Sequence, residues 1–217
     1  MKNKLLSIII LYLSILLFGC NPIEKRIIKS SSYEVEGFNL IQRNKLNQLS
    51  FVIDSPKAVY DEPNKILNIK NSTITIYSEG SSYIRIKSDL SILDRNKNLL
   101  TSKGNIVIEF PSDNKDININ GQTLEWNLAK DIIILGGVVN VNSNSINLIS
   151  KEAIYDKQSK KLFFERLINY NLLDPEKKKK IVTIKADKAI LDNIESELKF
   201  FSNNKQVNSI INIDNLR

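Results

Sequence analysis

One phrase recurs five times and governs what this 217-residue chain can fold into. An apolar-rich tetrapeptide closes on an acid or its amide, a polar run follows, and an apolar pair restarts the pattern. The first three instances are Ala58-Val59-Tyr60-Asp61 with Ile66-Leu67, Ser91-Ile92-Leu93-Asp94 with Leu99-Leu100, and Leu124-Glu125-Trp126-Asn127 with Ile132-Ile133. The last two are Ala153-Ile154-Tyr155-Asp156 with Leu162-Phe163, and Ala189-Ile190-Leu191-Asp192 with Leu198-Lys199-Phe200. Their closing residues stand 33, 33, 29 and 36 positions apart. Self-similarity at such a period marks a repeat architecture. Each unit reads as strand, tight polar turn, strand, so the expectation is a stack of β-hairpins.

The closing acid has a local reason. Asp or Asn at a strand end hydrogen-bonds its own backbone two residues on and tolerates the left-handed conformation of a tight turn. The residues after it (Glu62-Pro63-Asn64-Lys65, Arg95-Asn96-Lys97-Asn98, Lys157-Gln158-Ser159-Lys160) keep the hairpin tip in water. These acids are read as turn-formers rather than as ligands or catalysts.

From about residue 35 onward nearly every segment has the period of a strand. Ile74/Ile76, Ile84/Ile86 and Ile106/Ile108 alternate with polar neighbours, as do Val139/Val141 and Ile146. Segments such as Asn71-Ser72-Thr73 read as breaks between many short strands. Gly136-Gly137 stands inside a strand pattern and reads as a bulge or a close backbone approach. The expected domain is all-β and antiparallel, over residues 35–217.

Composition narrows the chemistry. Histidine is absent, which removes the commonest general base and metal ligand. The single cysteine, Cys20, excludes a disulfide framework and a thiolate zinc site. No glycine-rich phosphate loop or nucleophile elbow is present, and no cofactor is expected. A two-carboxylate glycan hydrolase survives these exclusions, though no paired-acid spacing supports it. The net charge of +7 points to anionic company. Lys177-Lys178-Lys179-Lys180 follows Asp174-Pro175-Glu176 and reads as a solvated hairpin tip that guards an edge.

Residues 1–20 read as a targeting segment: Lys2 and Lys4, then an apolar stretch to Phe18. Leu17-Phe18-Gly19-Cys20 resembles the lipobox of bacterial lipoproteins, which implies lipidation at Cys20. An uncleaved membrane anchor and an ordinary signal peptide remain the alternatives, the apolar run being short for a span. All three place the remainder outside the cytoplasm, which disfavours nucleic acid. Residues 21–34 read as a polar tether.

Ser55-Pro56-Lys57-Ala58-Val59-Tyr60-Asp61, residues 69–77 and Ile84-Arg85-Ile86-Lys87-Ser88-Asp89 resemble the opening of the LptC family. Ile133-Ile134-Leu135-Gly136-Gly137-Val138-Val139-Asn140-Val141, Ile149-Ser150-Lys151-Glu152-Ala153-Ile154-Tyr155-Asp156 and Ile184-Lys185-Ala186-Asp187-Lys188-Ala189 are similar to its later elements. The resemblance implies a twisted, open β-jellyroll at the periplasmic face of the inner membrane. It also implies a place in the lipopolysaccharide transport bridge. Such a protein shields lipid A acyl chains, receives lipopolysaccharide from an inner-membrane ABC transporter, and passes it to a periplasmic jellyroll partner by edge-strand pairing. With the alternation, this makes Ile74, Ile76, Ile84, Ile86, Ile106, Ile108, Val139, Val141 and Ile146 the expected lining of a lipid-binding groove. The downstream edge is expected between residues 184 and 200. The competing reading is a structural or protein-binding envelope lipoprotein whose β core is closed; sequence alone does not separate a filled core from an apolar groove.

Overall fold

The computed structural model describes residues 31–78, 81–110, 117–143, 145–174, 179–192, 197–202, 207 and 210–212. Cys20, the rest of the leader and residues 21–30 of the expected tether lie outside them. Among the described residues every regular element is a strand. The first seven are β1 (Ser32–Arg43), β2 (Leu49–Asp61), β3 (Ile66–Ser78), β4 (Ser81–Asp94), β5 (Leu99–Glu109), β6 (Asn118–Asn127) and β7 (Ile132–Asn142). They continue as β8 (Ile146–Asp156), β9 (Lys161–Leu173), β10 (Lys180–Ile184), β11 (Lys188–Asp192), β12 (Glu197–Phe201) and β13 (Ile210–Asn212). Strand therefore begins at Ser32, inside the segment read as tether.

All pairings are antiparallel and follow chain order from β1 to β9, then β11, β12 and β13, with β10 as a further partner of β9. The path does not close on itself. β9 divides the far end: its Tyr170 pairs with Ile184 of β10, and its Glu165 pairs with Lys188 of β11. Of the expected downstream edge between residues 184 and 200, Ile184 ends β10, which pairs with β9 alone, while β11 and β12 are each paired on both sides. Among the described residues, the strands with one neighbour are β1, β10 and β13.

The repeated phrase builds one margin of the sheet. Four-residue turns occupy 62–65, 95–98, 128–131 and 157–160. In each, the closing side chain caps backbone amides. Asp94 Oδ1 accepts from the amides of Asn96 and Lys97 at 3.0 and 3.1 Å. Asn127 Oδ1 accepts from Ala129 and Lys130 at 3.1 and 3.0 Å. Asp156 Oδ1 accepts from Gln158 at 2.9 Å. The left-handed residue, however, is the last of each turn, not the acid: Lys65, Asn98, Asp131 and Lys160 have φ between 51 and 56°. Neighbouring turns are tied together, the Asn96 side chain donating to Asn64 O at 3.0 Å and the Leu128 amide to Asn98 O at 3.0 Å.

The strands are long, not short. Each of β2 to β9 carries 10 to 14 residues. From β4 to β9 the register slips at mid-strand, as between Lys103 and Ile106 or Gly136 and Val139. Left-handed residues sit on the same line: Asn71, Gly104, Asn105, Gly137 and Arg166. Bulges bend the strand that carries them, and this aligned row folds the sheet along a crease. Each strand thus contributes a half next to the repeated turns, the proximal half, and a distal half beyond the crease.

The two halves face each other. Phe51, in the distal half of β2, meets Trp126, in the proximal half of β6, edge to face with ring centroids 5.0 Å apart. Tyr83 of β4 approaches Tyr155 of β8 at 6.4 Å, and Tyr170 of β9 meets Phe200 of β12 at 4.6 Å. Alternation sends one set of side chains into the space between the layers and the other to solvent. The outward set forms cross-strand ion pairs, among them Lys87–Glu109 at 2.8 Å and Lys188–Glu165 at 2.8 Å.

Candidate functional site

The site is the interior of the folded sheet. All nine expected lining residues are buried there, with 0–6% of their surface exposed. They come from the distal halves of β3, β4, β5, β7 and β8, so they form one wall only. The facing wall was not expected as lining, although Trp126 and Phe164 read from the sequence as core aromatics. Leu67, Leu93, Leu100, Leu124, Trp126, Ile133, Leu135, Tyr155, Leu162, Phe164, Leu191, Leu198 and Phe200 are equally buried and come from the proximal halves. Their signal was the repeated phrase itself, whose apolar positions flank the turns with the parity of the core.

Two narrow apolar clefts run between the walls. The first is lined by Ile84, Ile108, Phe110 and Ile119 on one side and by Ile133, Leu135, Ala153, Tyr155 and Leu162 on the other. The second lies between Ile117, Val141, Ile146 and Leu148 and the facing Phe164, Leu191 and Leu198. Each holds about 10 Å³ of free space, roughly room for one water molecule. A hydrocarbon chain enters only if the layers part.

The mouth between the layers is shut by aromatic rings near the strand ends. Phe51 and Trp126 close one point of it; Tyr83, Phe110 and Tyr155 gather at another, with centroids 6.3–6.4 Å apart. The Lys160 ammonium, in a repeated turn, stands 5.6 Å from the Tyr83 ring centroid.

The crease is polar. Ser55, Ser72, Ser88, Ser91, Ser102 and Ser150 are all buried along it. Ser72, Ser88 and Ser91 place their hydroxyls 2.7–2.9 Å from one another, and Ser102 joins through Ser91. Ser55 Oγ lies within hydrogen-bonding distance of the carbonyls of both Lys57 and Lys70, and Ser150 Oγ donates to the carbonyl of Glu152 at 3.0 Å. Where a bulge takes carbonyls out of the ladder, a buried hydroxyl restores their partner.

Titratable groups here serve the fold. The Lys97 ammonium, hydrogen-bonded to Asp94, holds that carboxyl below its ordinary value. Burial works to raise Asp156, but the Ser159 hydroxyl and the amides of Gln158 and Ser159 outweigh it and hold it low. Burial pushes the Tyr170 phenol up to about 12. Among the described residues the one buried carboxylate is Asp192, which pairs with Lys161 at 3.1 Å. Neither interior cleft is lined by an acid, whereas Glu125 and Glu152 share a separate depression with Thr101, Lys103 and Thr123. Among the described residues no cluster of three or more acids and cysteines is placed to hold a metal ion.

An unclosed antiparallel sheet, folded so that two apolar walls face each other with polar faces outward, defines an open jellyroll with a hydrophobic interior. The model of the family described as lipopolysaccharide-assembly, LptC-related, matches residues 5–135. The chain belongs to that family. Among solved structures it is similar to LptH of Pseudomonas aeruginosa, described as the LptA homologous periplasmic component of the conserved lipopolysaccharide transport device. Identity is 18% and the TM-score 0.42, over 52% of this chain and 79% of that one. No curated protein matches the chain.

Proposed function

We propose that the chain is a periplasmic component of the lipopolysaccharide transport bridge. It stands at the periplasmic face of the inner membrane, held by a lipidated Cys20 or an uncleaved N-terminal helix. It receives lipopolysaccharide from an inner-membrane ABC transporter and passes it to a partner jellyroll. The acyl chains travel between the two apolar walls, and no bond is made or broken. Transfer into that interior gains about 0.8 kcal/mol per buried methylene, and direction comes from the transporter.

The observation that carries this reading is the pair of facing walls in a sheet that does not close, in a chain of this family. The edges supply the contacts. β1 exposes Tyr33, Val35 and Ile41, and β10 exposes Ile181 and Val182. An unpaired edge accepts a strand from a partner by main-chain hydrogen bonds, with side chains giving specificity.

One observation favours a second reading, a protein-binding envelope lipoprotein with a closed β core: the interior clefts have almost no free space. Mass spectrometry of organic extracts separates the two. The full chain is purified from an envelope that contains lipopolysaccharide. Transport predicts a lipid A-type glycolipid at a defined ratio to protein. A folded chain that carries none, and takes none up from lipopolysaccharide micelles, supports the closed core.

A further inference from the structure

Trp126 is the single tryptophan of the chain, and 1% of its surface is exposed. Its indole Nε1 is buried without a hydrogen-bond partner. An indole N–H is a donor only, and a buried donor left unmade is unfavourable. The neighbours across the sheet, Leu100 on β5 and Ile133 on β7, offer no side-chain acceptor. Phe51 covers the ring edge to face from the other layer.

Trp126 is the last residue but one of β6, directly before the turn-capping Asn127. That places it at the mouth, about 13 Å from the bulge after Asn120 at the usual rise of a strand. Trp126 does not itself line the first apolar cleft but pairs with Ile133 of β7, which does, so an acyl chain that parts the layers there passes next to the strand that carries a donor in need of an acceptor.

We propose that the Trp126 N–H donates a hydrogen bond to the carbonyl oxygen of the ester or amide that joins an acyl chain to its headgroup. The site then takes acyl-linked amphiphiles in preference to alkyl ethers, whose oxygen is a poorer acceptor in a different place. The inference rests on the lipid-carrying reading above and adds to it a fixed depth and a chemical preference. Phe51 swings aside as the carbonyl arrives, because its ring now covers the indole.

The test uses the full chain with two probes of equal chain length, a lauroyl ester of a sugar and the dodecyl ether of the same sugar. Binding is followed by calorimetry and by the emission of Trp126, which moves to longer wavelength when the indole N–H gains an acceptor. The ester is expected to bind about five- to tenfold more tightly than the ether, the size of one hydrogen bond, and alone to shift the emission. Trp126→Phe keeps a ring and loses the donor, and brings ester affinity down to that of the ether. Equal affinities with an unmoved emission overturn this proposal and leave lipid carriage standing. Binding of neither probe overturns both. If the variant does not fold, the ester-against-ether comparison in the natural protein decides.

Discussion

The hydroxyl of Ser91 on β4 lies 2.6 Å from that of Ser102 on β5, both buried in the crease of the sheet. Ser91 also meets Ser72 and Ser88, so three of the four contacts in this group pass through one side chain. Four hydroxyl protons and four contacts leave no donor over when each serine donates once.

Ser91→Ala removes three of those contacts and leaves the Ser102 hydroxyl buried without its partner. Loss of a partner from a buried polar group costs about 1–3 kcal/mol, and the expected destabilisation lies at the upper end. Urea unfolding measures it. Ser91→Ala with Ser102→Ala is expected to cost less than the two singles summed, because the second change removes the stranded hydroxyl.

The turn acids are interchangeable with Asn but not with Ala. Asn127 holds in the third repeat the place Asp156 holds in the fourth, and both cap two amides. Asp156→Asn is expected to change the unfolding midpoint little, whereas Asp156→Ala loses about 1 kcal/mol, the net value of a hydrogen bond. Because the Asp156 carboxyl is held low in the folded state, its contribution is present above 3.8, its ordinary value, and is lost as pH falls through the folded value. Denaturation curves between pH 6 and pH 2, bounds chosen to span about the usual carboxylate range, are expected to show a shallower acid loss in the Asn variant.

Gly137 has φ of +87°, and a Cβ there would stand 2.9 Å from that of Gln122. Gly37 also has positive φ, +63°, yet a Cβ would meet nothing within 4 Å. Gly137→Ala is therefore expected to destabilise by more than Gly37→Ala, which carries only the backbone penalty of about 1 kcal/mol. Thermal midpoints of the two variants test the ranking.

Tyr170 makes stability fall at alkaline pH. Its phenol is raised to about 12 by burial, so the folded state favours the protonated form. That contribution is complete below 10, the ordinary value, and is lost between 10 and about 12. Tyr170→Phe is expected to flatten the stability curve over this window. An unchanged alkaline slope contradicts it.

The hairpin stack was legible because the repeated phrase carries both turn chemistry and period. The crease was not. Its left-handed residues are Asn71, Asn105 and Arg166 as well as Gly104 and Gly137, and polar residues inside a strand pattern look like its end. Asn71-Ser72-Thr73 read as a gap, while β3 runs straight through it. Missing the crease hid the second wall: without a fold at mid-strand, Leu100 and Ile133 only restart a strand after a turn and are not assigned to a layer opposite Ile84. The serines were hidden likewise, because burial of a hydroxyl depends on the neighbours that a bend supplies.

The central claim is that acyl chains lie between the two walls. The most direct measurement is light-driven cross-linking from adjacent positions of β5 that point opposite ways, Ile108 inward and Val107 outward. A photoreactive amino acid is placed at one position or the other in the full chain, in cells making lipopolysaccharide, and adducts are identified by mass. The account predicts a lipopolysaccharide adduct from position 108 and none from position 107, in variants that both retain their β-sheet circular dichroism. Adducts from position 107 alone, or equal labelling from both, would contradict it.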